Sequence, residues 1–300
     1  MTVTQARNAG VWLARERGFT LIELVVSIAI AAVIVGFVGM FMSTPMDAYF
    51  AQTRRTDLSD SADAITRAFE QDVRTALPNS IRITRNGSVV AVEMLATAGS
   101  ARYWEAGETA VSPGGAAREL DFSGAPDAQF STDGTFNAAV HALAPTTFHL
   151  SVNNLGTPGA NAYELANVMT PAGTSIALIS SGGEDQVTLT PGFHFIAASA
   201  SHTIFAVTQP VAYLCDEGLH TVTRYAGYSI AADPTTRDSA GALNGAGAVS
   251  YPVAQFPTAC QFDLSAGTAH HGGVLSLRVT LVKDGETMQL FHQVPVEGVP

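Results

Sequence analysis

The sequence predicts an α+β fold: a long amino-terminal helix, apolar in its first half and amphipathic in its second, packed on an antiparallel β domain with long loops. Three observations lead there. Residues Phe19 to Met42 form an apolar run of about 24 residues, long enough as a helix to cross a hydrocarbon layer of about 30 Å. Leu58, Ala62, Ile65, Phe69, Val73 and Leu77 then recur at the spacing of one helical stripe. Beyond Pro78 the pattern changes to short β-rich runs separated by Gly, Pro, Asn and Asp.

In chain order, Met1 to Gly18 is a leader without an evident fold that carries Arg7, Arg15 and Arg17. Its positive charge places it on the cytoplasmic side and everything after Met42 on the far side of the membrane. The apolar run, 19–42, holds one acid. At the centre of a membrane helix a charge costs roughly 2.5 to 3.5 kcal/mol, somewhat less near the end, so Glu23 demands a partner or a purpose. An ordinary secretory signal would put its cleavage site after the apolar core, where Met42-Ser43-Thr44-Pro45 is a poor match. A plain anchor leaves Glu23 unexplained. Gly36 and Gly39 permit close approach of a neighbouring helix. Pro45 removes a helical hydrogen bond and predicts a kink, with the helix resuming over 46–77. There Asp63 with Arg67 and Glu70 with Arg74 are spaced as ion pairs on a face that either meets solvent or docks a partner.

The exported region, 78–300, opens on a hairpin read from Ile81, Ile83 and Val89 to Leu95 around Asn86-Gly87. Thr97 to Gly183 predicts strands at Leu120 to Phe122, Thr146 to Val152 and Ser175 to Ile179, joined by long loops. The last third is dense in strands: 186–189, 193–198, 203–208, 211–214, 221–230, 261–264, 274–282 and 286–296, the last two joined at Lys283-Asp284-Gly285. Gly241 to Gly247 reads as a flexible loop. Cys215 and Cys260 are the two cysteines, both beyond the membrane segment. In an exported region they predict a bridge closing a loop of about 45 residues, worth roughly 3 to 4 kcal/mol, rather than two separate buried thiols.

The net charge of −11 argues against a nucleic-acid partner. Phosphate-loop and zinc-helix patterns do not occur, and Gly227-Tyr228-Ser229-Ile230-Ala231 lacks the final glycine of a nucleophile elbow. His270 and His271 are adjacent and suit a solvated loop better than one metal. Glu184-Asp185 and Asp216-Glu217 lack calcium-loop spacing. His194 and His292 read as core-edge histidines, and Arg102, Tyr103 and Trp104 as a packed strand end. No catalytic residue, metal or cofactor is expected, and no enzyme.

Gly18-Phe19-Thr20-Leu21-Ile22-Glu23-Leu24, followed by Val25 and Val26, resembles the processing signal of type IV prepilins and type II secretion pseudopilins. That resemblance implies cleavage after Gly18 by a prepilin peptidase and methylation of the new amino terminus at Phe19. It also implies pairing of Glu23 with the terminal ammonium of a neighbouring subunit, residence in the inner membrane with a periplasmic domain, and later passage into a pilus. Val207 to Asp216, Arg224 to Tyr228, Cys260 to Phe262, Gly285-Glu286, Gln293-Val294 and Ala76 to Ser80 resemble more narrowly the minor pilin-like proteins of MSHA-type pilus biogenesis. A minor pseudopilin of type II secretion and a tip adhesin are the alternatives.

Overall fold

The computed structural model describes residues 18–105, 119–145, 148–165, 167–265 and 273–296. The leader before Gly18, Thr146 and Thr147, and His270-His271 lie outside them. The chain divides into two compact units, Met1–Thr53 and Arg54–Pro300. Helix α1, Leu21–Arg74, runs through the division and is helical without a break past Pro45. The side chains of 42–45 are not among those described.

In the second unit α1 is followed by β1 (Arg82–Asn86), β2 (Val89–Tyr103), β3 (Asp127–Asp133), a short α2 (Ala138–Leu143), β4 (His149–Val152), β5 (Ser175–Ser181), β6 (Glu184–Phe193), β7 (Thr203–Asp216) and β8 (Thr221–Ala226). A short α3 (Ala240–Gly245), β9 (Val249–Gln255), β10 (Pro257–Ser265), β11 (Gly273–Lys283) and β12 (Glu286–Val296) complete it. A nine-stranded antiparallel sheet runs β5-β6-β3-β2-β7-β8-β9, with β1 also on β2 and β4 also on β7; β10-β11-β12 form a second sheet. The α+β reading stands.

The stripe of α1 explains why both sheets meet there. Leu58, Ala62, Ile65, Phe69 and Val73 are buried in one core with Val92, Met94 and Tyr213 of the large sheet and Leu275, Leu277, Val279 and Leu281 of the small one. Each fully buried large side chain contributes about 1.5 to 3 kcal/mol, so this stripe organises the unit. A second core, with Tyr103, Phe130, Val140, Leu150, Val187 and Phe195, lies under β3, β4, β6 and α2.

Several boundaries differ from expectation. The β1–β2 loop is Gly87-Ser88, since Asn86 pairs with Val89; Gly87 supplies the positive φ of 58°. The 203–208 and 211–214 runs form one strand, β7, that passes through Pro210. One flank of β7 pairs with β4 as far as Val207 and with β8 from Val211, so Pro210 sits in the gap between them. A residue without an N–H is tolerated there. Leu120 makes a single bridge to Glu105 rather than a strand. Gly241 to Gly247 overlaps α3, which is held at its start by the Ser239 hydroxyl. At the β11–β12 turn Asp284 and Gly285 have φ of 46° and 85°, as a two-residue hairpin requires.

Candidate functional site

The amino end of α1 is built around Thr20. Its hydroxyl accepts the Glu23 N–H at 3.3 Å, and its carbonyl accepts the Leu24 N–H at 3.1 Å, the first helical bond. Thr20 is therefore the cap and Glu23 the third helical residue, the Thr-x-x-Glu spacing of a capping box. Glu23 also lies in the first turn, where the helix dipole favours an anion by about 0.3 to 1 kcal/mol. This local role was legible in the four residues and was missed. Ser27 donates its hydroxyl proton to the Glu23 carbonyl at 2.7 Å.

Gly18 and Phe19 precede the helix and are exposed, Phe19 at 70%. Among the described residues a Cβ on Gly18 would meet nothing within 4 Å, and its φ lies outside the left-handed region. The chain's own packing therefore does not demand glycine there. From Phe19 to Phe41 every residue is exposed. A helix apolar on all sides needs an apolar surrounding, and its length and composition suit a membrane.

The polar face of α1 is not uniformly solvated. Asp72 accepts from Arg224 Nε at 2.6 Å and from the Tyr213 hydroxyl at 2.5 Å; Tyr213 also reaches the Ala68 carbonyl at 2.8 Å. Burial and the Asp72 carboxylate push the Tyr213 phenol far above its ordinary pKa, and the same carboxylate raises Arg224. Lys283 pairs with Asp57, and Arg55 Nε with Glu286 at 3.2 Å. Of the two expected helical pairs, Glu70 and Arg74 bond closely and Asp63 and Arg67 stand 3.8 Å apart in solvent.

Cys215 of β7 and Cys260 of β10 are bridged, with Cα atoms 6.4 Å apart, so the disulfide ties the large sheet to the small one beneath α1. Glu217 accepts the Cys260 N–H at 2.9 Å beside it. A second polar joint lies at Glu93, which is 3% exposed. It pairs with Arg82 at 2.6 Å and accepts from the Tyr228 hydroxyl at 3.0 Å, while Arg82 stacks on Tyr163 at 3.6 Å. Burial raises the Glu93 carboxyl above its usual value against the pull of Arg82, and pushes Tyr228 well up.

Of the residues weighed for metals, Asp185, Asp216 and Glu217 are otherwise engaged. Asp185 is fully buried and accepts from the Phe136 N–H, the Ser180 hydroxyl and His141. Asp216 caps the turn at Gly218 and Leu219, and Glu217 faces Arg85 at 3.5 Å. His194 approaches the Phe122 carbonyl at 3.4 Å, and His292 lies 3.7 Å from Glu70. Gly18, Phe19 and Glu23 are thus brought together, while Cys215 and Cys260 belong to the second unit.

Residues 13–39 match the family described as the prokaryotic N-terminal methylation motif. The match covers the Gly18-Phe19 junction, Glu23 and the apolar run as far as Gly39, and it is a type IV pilin-like signal. Comparison with curated proteins and with solved structures gives no match.

Proposed function

We propose that the chain is a minor pilin-like structural subunit of a type IV pilus of the MSHA type. A prepilin peptidase cuts between Gly18 and Phe19 and methylates Phe19. The 19–42 segment holds the protein in the inner membrane with 54–300 in the periplasm, until the subunit passes into the filament. The observation that carries this reading is an acid in the first turn of a helix apolar on every side, four residues after a Gly-Phe junction whose glycine no contact among the described residues requires. In a bundle of such helices, the terminal ammonium of a sister subunit answers Glu23 and offsets much of its desolvation.

The cap at Thr20 sharpens the test. Glu23→Ala keeps the N–H that Thr20 accepts, so it removes the carboxylate and leaves the cap bond. The variant is expected to be cleaved and methylated but to fail to incorporate, read by immunoblot of sheared filaments against membranes. Normal incorporation contradicts the pairing. The assignment to an MSHA-type pilus rests on the narrower sequence resemblance. Recovery of the chain with a type II secretion pseudopilus instead would move it to that system.

A further inference from the structure

We infer that the cleft between α1 and the free edge of β9 receives an extended, basic segment of a different protein, which adds to the large sheet as a further strand. This holds whether or not the chain enters a pilus. Strand β9 ends the nine-stranded sheet and pairs with β8 on one side only. Every second residue of such an edge turns its N–H and C=O away from the sheet, a row of groups ready for another strand. Natural edges are guarded by charge, by proline or by bulges. The β9 sequence, V-S-Y-P-V-A-Q, carries no charge, and Val249 and Tyr251 are 52% and 49% exposed. Pro252 withholds a donor and a register shift leaves Val253 without a partner on β8, which together limit the registers available without closing the edge.

Beside the second half of β9 is an open cleft of about 420 Å³, lined by Val253 to Phe256, by Asp57, Asp60, Ser61 and Ala64 of α1, and by Lys283. The four helix positions are spaced i, i+3, i+4 and i+7, so they form one continuous wall along the groove. An incoming strand therefore meets backbone groups of the edge, and Asp60 beside the Asp57–Lys283 pair. Asp57 is held by Lys283. Asp60 is exposed and has no ion-pair partner among the described residues. A Lys or Arg of the incoming segment fills that role. A second copy of this chain is the poorer occupant, because both copies carry a net charge of −11.

The test uses the full-length chain in detergent micelles, panned against displayed random ten-residue peptides. Enriched sequences are expected to alternate apolar residues with Lys or Arg and to lack central proline. A synthesised winner should bind at least tenfold more weakly to Asp60→Lys, and more weakly to Asp60→Asn. Its binding should be lost when its alternate amides are N-methylated. An unchanged melting transition and intact disulfide show that each variant is folded. No enrichment over empty micelles, enrichment of acidic peptides, or winners indifferent to Asp60→Lys or to N-methylation would overturn the inference. So would concentration-dependent self-association abolished by Tyr251→Lys, which assigns the edge to a second copy.

Discussion

Glu93 illustrates how a single buried carboxyl sets a pH response. Burial lifts its pKa above the unfolded value of 4.5 despite Arg82, so the fold favours the protonated form. Its contribution is full below 4.5 and is lost as pH rises through the raised folded value. Glu93→Gln keeps an acceptor for Arg82 and Tyr228, so urea midpoints of the variant should lose the decline that wild type shows over that window. An identical slope in both would contradict it. Asp185 is the more costly site to disturb, because three donors converge on a carboxylate without solvent. Asp185→Ala should destabilise by about 3 kcal/mol or more, read by chemical unfolding. Neither site was legible in the sequence. Glu93 falls in an alternating strand and Asp185 after a Gly-Gly turn, and their partners are distant in the chain: Tyr228 for Glu93, Phe136 and His141 for Asp185.

Among the elements, α1 was the most legible, since a 3.6-residue period sustained from Leu58 to Val73 leaves one packing solution. The hairpins at Gly87 and at Asp284-Gly285 were also readable, to within a residue, because left-handed backbone is so restrictive. Strands β3 and β9 and helices α2 and α3 were not. The two helices are only six residues long and the two strands lack a clear alternation, and they form because a neighbouring strand or a capping Asn137 or Ser239 holds them. Pro210 misled in the other direction, since only tertiary pairing reveals the gap that admits it. We propose that Pro45 bends α1, as it supplies no N–H for the Phe41 carbonyl. Pro45→Ala should then slow amide exchange over residues 46–49, by up to the roughly 3 kcal/mol that separates proline from alanine in a helix. Unchanged exchange there would dispose of the bend.

At the scale of the whole molecule, the chain joins a helix that requires an apolar surrounding to a domain that closes its own cores. The second unit draws its coherence from one stripe of α1 and from the Cys215–Cys260 bridge between sheets. Replacing both cysteines by alanine should lower its unfolding free energy by about 3 to 4 kcal/mol, the entropy of a loop of 45 residues, measured by denaturant titration. A reductant should lower wild type as much and the variant not at all. The first unit has no such internal logic: its exposed apolar surface, its exchangeable glycine and its first-turn acid make sense only through other molecules. The most direct measurement is therefore intact mass spectrometry of the protein isolated from its native host. The account predicts a chain that begins at Phe19 and carries one methyl group on its amino nitrogen. A chain that still begins at Met1, with no methylated phenylalanine, would contradict it and leave a domain tethered by a simple anchor.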